Sequence, residues 1–169
     1  QTTPIQLCLM TAQIANGGYK IYPKIVANDD NQYADKFTPL YKKSRNIKIV
    51  QDAMFSSTNE VRGTSYRSRL DDPKYRFAGK TGTSQVKKIT ERDRELDLKT
   101  FEIPYEERDH ALYVAFGPYK SPRYALSIII EHGGSGGTVA APLAKELFKM
   151  IIDRHEIRKN YDNKKYLDI

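Results

Sequence analysis

Phe77-Ala78-Gly79-Lys80-Thr81-Gly82-Thr83-Ser84-Gln85-Val86 is the stretch on which the reading of this chain turns. It reads as an extended strand. Side chains alternate between the two faces of a strand, so Lys80, Gly82 and Ser84 share one face and Thr81, Thr83 and Gln85 the other. Gly82 has no Cβ, so a second backbone or a ligand can come close there. A cation beside backbone N–H groups and hydroxyls suits a carboxylate or a developing oxyanion. A bare Lys-Thr-Gly triplet also occurs by chance at strand ends, so the surroundings have to decide.

Downstream, residues 111–117 and 124–131 read as two strands joined by a turn over 118–122. The second is nearly all apolar through Leu126, Ile128, Ile129 and Ile130, which predicts a central position in a sheet. Residues 87–109 form a long charged excursion containing Pro104, read as a loop or lid. Gly133-Gly134-Ser135-Gly136-Gly137 reads as a flexible hinge before a last helix. It lacks the lysine and spacing of a phosphate-binding loop. That helix opens at Thr138 or Val139, with Leu143, Leu147, Met150 and Ile151 predicted on its buried face. The polar segment after Arg154 is expected to fray.

Upstream, Thr3, Pro4 and Gln6 are helix-start signals, a cap with its reciprocal partner and a first-turn proline. Ile5, Leu9 and Ala12 make an apolar stripe, with Cys8 beside it, and Asn16-Gly17-Gly18 ends the helix. Residues 19–26 are extended, and 28–43 read as a loop. A second helix begins at Ser44 or Asn46, carries Ile47, Val50, Met54 and Val61 at helical spacing, and stops at Gly63-Thr64. Asp72-Pro73 marks a turn before the central strand.

The 169 residues suffice for one domain with a core. No apolar run is long enough for a membrane span. The chain starts at Gln1 without a signal-peptide pattern and reads as a piece of a longer protein. The formal charge of +7 is spread among acids, as in Glu91-Arg92-Asp93-Arg94-Glu95, which argues for a solvated basic surface rather than a nucleic-acid site. One cysteine, Cys8, cannot form an internal disulfide. His110, His132 and His155 have no metal-ligand spacing and read as structural. Adjacent carboxylates at Asp71-Asp72 and Glu106-Glu107 do not converge on one bond. The tyrosines at 66, 75, 113, 119 and 124 are scattered, unlike a base-stacking platform.

The string Gly79-Lys80-Thr81-Gly82-Thr83-Ser84-Gln85-Val86 closely resembles the third motif of class B penicillin-binding proteins. Thr3-Pro4-Ile5-Gln6-Leu7 with Ala15-Asn16-Gly17-Gly18 resembles the family's helix after its second motif. Arg108-Asp109-His110-Ala111, Ala115-Phe116-Gly117-Pro118-Tyr119 and Glu131-His132-Gly133-Gly134 resemble its last two strands, most like the branch that serves cell elongation. The likeness runs to about Arg154, which divides the chain into residues 1–154, the carboxy-terminal part of a transpeptidase domain, and a polar tail at 155–169.

The resemblance implies an α/β fold of the α+β type. The expected sheet supplies three antiparallel strands of the family's five-stranded transpeptidase sheet, packed with helices. It implies a peptidoglycan D,D-transpeptidase of the periplasmic face of the bacterial inner membrane, without a cofactor or metal, and with no nucleic acid as partner. Implied partners are peptidoglycan stem peptides, β-lactam antibiotics, the upstream half of the same domain and membrane proteins of the elongation machinery. Lys80 would supply charge and move protons, and the Thr83 N–H would be one oxyanion donor. The hydroxyls of Thr81 and Thr83 would hold the terminal carboxylate. Strand residues Gly82, Thr83, Ser84 and Gln85 would pair with substrate, with Gly79 and Gly82 keeping the approach open. A serine β-lactamase or D,D-carboxypeptidase would use the same strand, and a basic binding module without catalysis is the alternative from another class.

The sequence departs from the family pattern by absence: no convincing Ser-x-x-Lys nucleophile or Ser-x-Asn motif occurs. Ser84-Gln85-Val86-Lys87 fits the first, but in a strand its serine and lysine point to opposite faces. Ser57-Thr58-Asn59 fits the second, but reads as the polar end of a helix. The chain alone is therefore expected to be inactive.

Overall fold

A computed structural model describes residues 2–25, 38–42, 44–88 and 98–165, with side chains through residue 159. Helix α1, Pro4–Ala15, starts at the predicted box: the Thr3 side chain accepts from the Gln6 N–H, and the Gln6 side chain accepts from the Thr3 N–H at 2.8 Å. Gly17 and Gly18, both at φ 91°, end it. Its apolar stripe is displaced from the expected one. Ile5 is exposed, whereas Thr11 is buried with its hydroxyl returned to the Leu7 carbonyl. Residues 19–25 meet the segment at 38–42 through a Tyr19–Pro39 bridge, with the Lys20 N–H donating to the Thr38 carbonyl, and most of the loop expected over 28–43 lies outside the described residues.

Helix α2 is Ser44–Asn59 and buries Ile47, Met54 and Thr58. Val50 and Val61, expected inside, are exposed. Strands β1 (Ala78–Ser84), β2 (His110–Gly117) and β3 (Tyr124–Ile130) form one antiparallel sheet in the order β1-β2-β3. Thr81 stands opposite Tyr113, and Tyr113 opposite Ile128. The short turn after β2 permits this antiparallel pairing. Among the described strands β2 lies between the other two, and one edge of β3, whose residues are all half-buried, is left unpaired. The continuous apolar pattern of β3 arises because both faces are covered by helices.

Alternation along the strands divides the core in two. On one face Ala78, Val114, Phe116 and Ala125 pack against Met54 and Phe55 of α2 and Ile14 and Ala15 of α1. On the other, Ala111, Tyr113 and Ala115 pack, together with Phe77 from the approach to β1, against Ala140, Ala141, Ala144 and Phe148. The last three of these belong to helix α3, Ala141–Lys165. The structure thus shows mixed helix and strand with a three-stranded antiparallel sheet between helices, as expected.

Three expectations at this end are corrected. The buried face of α3 is Ala141, Ala144, Phe148 and Ile152, while Leu143, Leu147 and Met150 point outward. Small residues let the helix lie close to the sheet, and Phe148 stacks on Phe77 at 4.8 Å between centroids. The helix does not end at Arg154 but continues to Lys165. Nor is the glycine run a loose hinge. Gly136 is buried in a π-turn, Gly136–Ala140, where a side chain would meet the Leu112 and Gly82 carbonyls.

Of the segment read as a lid, residues 89–97 lie outside the described residues. The remainder holds two single 3-10 turns, Thr100–Glu102 and Tyr105–Glu107. It is tied to the end of β1 by the Val86 N–H donating to Asp109 at 3.2 Å and by the Lys87–Glu107 ion pair. Among the described residues, no helix is long and apolar enough to cross a membrane.

Candidate active site

The site is built on β1, which among the described residues is an edge strand paired on one side. Burial falls along it. Ala78 and Gly79 are buried, Thr81 and Gly82 half-buried, and Lys80, Thr83 and Ser84 exposed. The strand therefore enters from the core and emerges as an open edge. Gln85 lies just past its end and is exposed.

Three hydroxyls anchor the buried end. The Tyr113 hydroxyl lies 2.9 Å from that of Thr58 and 3.0 Å from that of Ser65. Burial pushes the Tyr113 phenol up against the opposing pull of these two hydrogen bonds. Asn59, the last residue of Ser57-Thr58-Asn59, donates its amide to the Phe77 carbonyl at 2.9 Å. Ser57-Thr58-Asn59 thus sits at the end of α2 and pins β1 in place. Sequence reading missed this role because a polar helix end gives no sign of what it meets. Gly79 likewise differs from its expected role: a methyl group there would collide with the Tyr113 hydroxyl and ring, so this glycine admits the core tyrosine, not a ligand. Gly82 fits its expectation better, since a Cβ there would meet only Leu112, at 3.3 Å.

At the open end, the Lys80 ammonium curls over the strand edge. It donates to the Thr81 carbonyl at 2.9 Å and to the Thr81 hydroxyl at 3.2 Å. In an antiparallel pair, alternate residues turn both backbone groups toward the partner or both away. The Thr81 carbonyl that takes the ammonium faces away from β2, and by alternation so do the Thr83 N–H and C=O. The edge thus presents a cation, two hydroxyls and backbone donors that no described strand pairs, in one row, which suits an acceptor-only group such as a carboxylate.

At the far end of β1, Ser84 stands opposite His110. The His132 N–H donates to His110 Nδ1 at 3.0 Å, and His132 Nδ1 lies 3.1 Å from the Arg108 carbonyl. One ring nitrogen of each histidine thus meets the backbone. Ser84 lies at the end of the strand, and Lys87 beyond it pairs with Glu107.

Comparison with known proteins agrees with this fold. The model of the penicillin binding protein transpeptidase domain matches residues 1–149. The chain belongs to the penicillin-binding protein transpeptidase family. Within it, the likeness is to the carboxy-terminal transpeptidase region of class B, PBP2-type proteins. The chain is 33% identical over 165 residues to the peptidoglycan D,D-transpeptidase MrdA of Salmonella typhimurium, covering 89% of this chain and 25% of the relative. Among solved structures, PBP2 of Helicobacter pylori in complex with MreC matches with a TM-score of 0.71 and 26% identity, over 90% of this chain and 25% of that one. Pseudomonas aeruginosa PBP2 in complex with WCK 5153 matches with a TM-score of 0.66 and 30% identity, over 89% of this chain and 30% of that one. This transpeptidase-family chain spans about a quarter of the length of the curated relatives it matches.

Proposed function

We propose that the chain contributes the substrate-holding edge of a peptidoglycan D,D-transpeptidase of cell-wall elongation, and that the nucleophile comes from sequence outside it. The observation that carries this reading is the outer edge of β1, which no described strand pairs, where Lys80, Thr81 and Thr83 line up inside a transpeptidase-family fold. The stem peptide lies along β1 as an added strand against Gly82, Thr83, Ser84 and Gln85. Its terminal carboxylate takes hydrogen bonds from the Thr81 and Thr83 hydroxyls. A serine from the other half of the domain attacks the penultimate carbonyl. The Thr83 N–H is one of the two donors to the resulting oxyanion, and the serine's own N–H is the other. D-Alanine leaves, and the amine of a second stem peptide takes the acyl group. A β-lactam enters as the donor does and stays as the acyl-enzyme.

In this reading Lys80 leaves the Thr81 carbonyl when substrate arrives and places its charge and a transferable proton beside the serine. The working protein lies on the periplasmic face of the inner membrane. The Helicobacter pylori relative, solved with MreC, supports a partner of that kind. The test joins the chain to the remainder of its domain and compares penicillin acylation of the wild type with Lys80→Ala. Loss of one charged transition-state contact slows acylation by about a hundredfold or more. A correctly folded Lys80→Ala protein that acylates at the wild-type rate contradicts the assignment.

A further inference from the structure

The Thr81 hydroxyl does not stand alone. Thr64 Oγ1 lies 3.2 Å from Thr81 Oγ1, and Ser57 Oγ lies 3.2 Å from Thr64 Oγ1. Three hydroxyls therefore run in a row from the end of α2, through the following loop, to the open edge of β1. Thr64 is held in place from both sides. Its neighbour Ser65 returns N–H and hydroxyl bonds to the Ser57 carbonyl at 3.1 and 3.0 Å. A Cβ at Gly137 would come within 2.6 Å of the Thr64 carbonyl, so the glycine-bearing turn lies directly on it. Gly63 allows the fold-back, since a side chain there would strike the Ser56 and Ser57 carbonyls.

We infer that Thr64, backed by Ser57, is a positioning residue that aims the Thr81 hydroxyl hydrogen at a substrate carboxylate. This rests on the reading of β1 as a carboxylate-binding edge. A hydroxyl has one hydrogen and two lone pairs. A carboxylate only accepts, so Thr81 must donate outward, and its lone pairs then need donors from behind. Thr64 is placed to supply one, and it becomes the remaining donor once Lys80 turns to the serine. Thr64 can donate forward because Ser57 stands behind it as a donor in turn. Among the described residues Ser57 makes no other side-chain hydrogen bond, so this orientation leaves no competing acceptor unsatisfied. All three hydrogens then point toward the edge, and hydrogen bonds in such a row polarise one another.

The test uses the protein in which the chain is joined to the rest of its domain, with penicillin G and its methyl ester as paired probes. Thr64→Val keeps the shape and removes the hydroxyl. It should slow acylation by the carboxylate-bearing penicillin about three- to tenfold, the size of one net hydrogen bond. Acylation by the ester should be unchanged, and Thr64→Ser should restore the carboxylate preference. An equal loss on both probes would show a merely structural residue, and no loss on either would show that Thr81 needs no orientation; both overturn the inference. In either case Thr81→Val would still abolish the carboxylate preference, leaving the proposed function standing. Failure of penicillin to acylate the wild type would overturn the proposed function and this inference together.

Discussion

Gly79 and Gly82 look alike in sequence, two residues apart in one strand and flanking Lys80-Thr81. Their surroundings separate them. A methyl group on Gly79 would collide with Tyr113, whereas one on Gly82 would only touch Leu112. Gly79→Ala should therefore destabilise the domain by about 1–3 kcal/mol through overpacking. Gly82→Ala should cost under about 1 kcal/mol. Denaturant midpoints of the two variants would check this, and the reverse order would contradict the packing described for Tyr113. Removing the Tyr113 hydroxyl with Tyr113→Phe should cost about 1 kcal/mol, because Thr58 and Ser65 keep their own backbone acceptors. A loss above about 3 kcal/mol would mean that the three hydroxyls act as a tightly coupled unit. At this scale the sequence announced the residues that would face a ligand, because cation, hydroxyl and glycine sit in one short row. It did not announce those behind them. Thr58, Thr64, Ser65 and Tyr113 reach the strand from separate segments, and no local spacing signals such a meeting.

The elements themselves were largely legible. Thr3, Pro4 and Gln6 start α1 through local hydrogen bonds, and β2 and β3 follow from short apolar runs between turn residues. Which face of a helix is buried proved harder to read. In α3 the large apolar residues Leu143, Leu147 and Met150 point out, and the alanines at 141 and 144 point in. Side-chain size misleads there, because close approach to the sheet requires small residues around one large one. Phe148→Ala should accordingly cost about 3–5 kcal/mol, as it removes a fully buried ring stacked on Phe77. Leu147→Ala, on a residue 40% exposed, should cost about 1 kcal/mol or less. Comparable losses in thermal or denaturant unfolding would place the wrong face against the sheet. The apolar run of β3 reports cover on both faces, and among the described strands one of its edges is left unpaired.

For the whole molecule, an apolar strand with an unpaired edge is a template for association. The other half of the family's sheet is expected to cover that edge. The chain by itself should form large species in size-exclusion chromatography, and the chain joined to the rest of its domain should run as a discrete particle. A stable, soluble monomer from residues 1–169 alone would argue that β3 is already protected. The central claim is that β1 holds a substrate that a serine outside this chain attacks, and fluorescent penicillin tests it most directly. The label is resolved on a denaturing gel for the chain alone and for the chain joined to its domain, with the labelled serine located in each. The account predicts covalent label only on the joined protein, at a serine preceding Gln1. Label on the isolated chain, at Ser84 or any other serine within it, would contradict it.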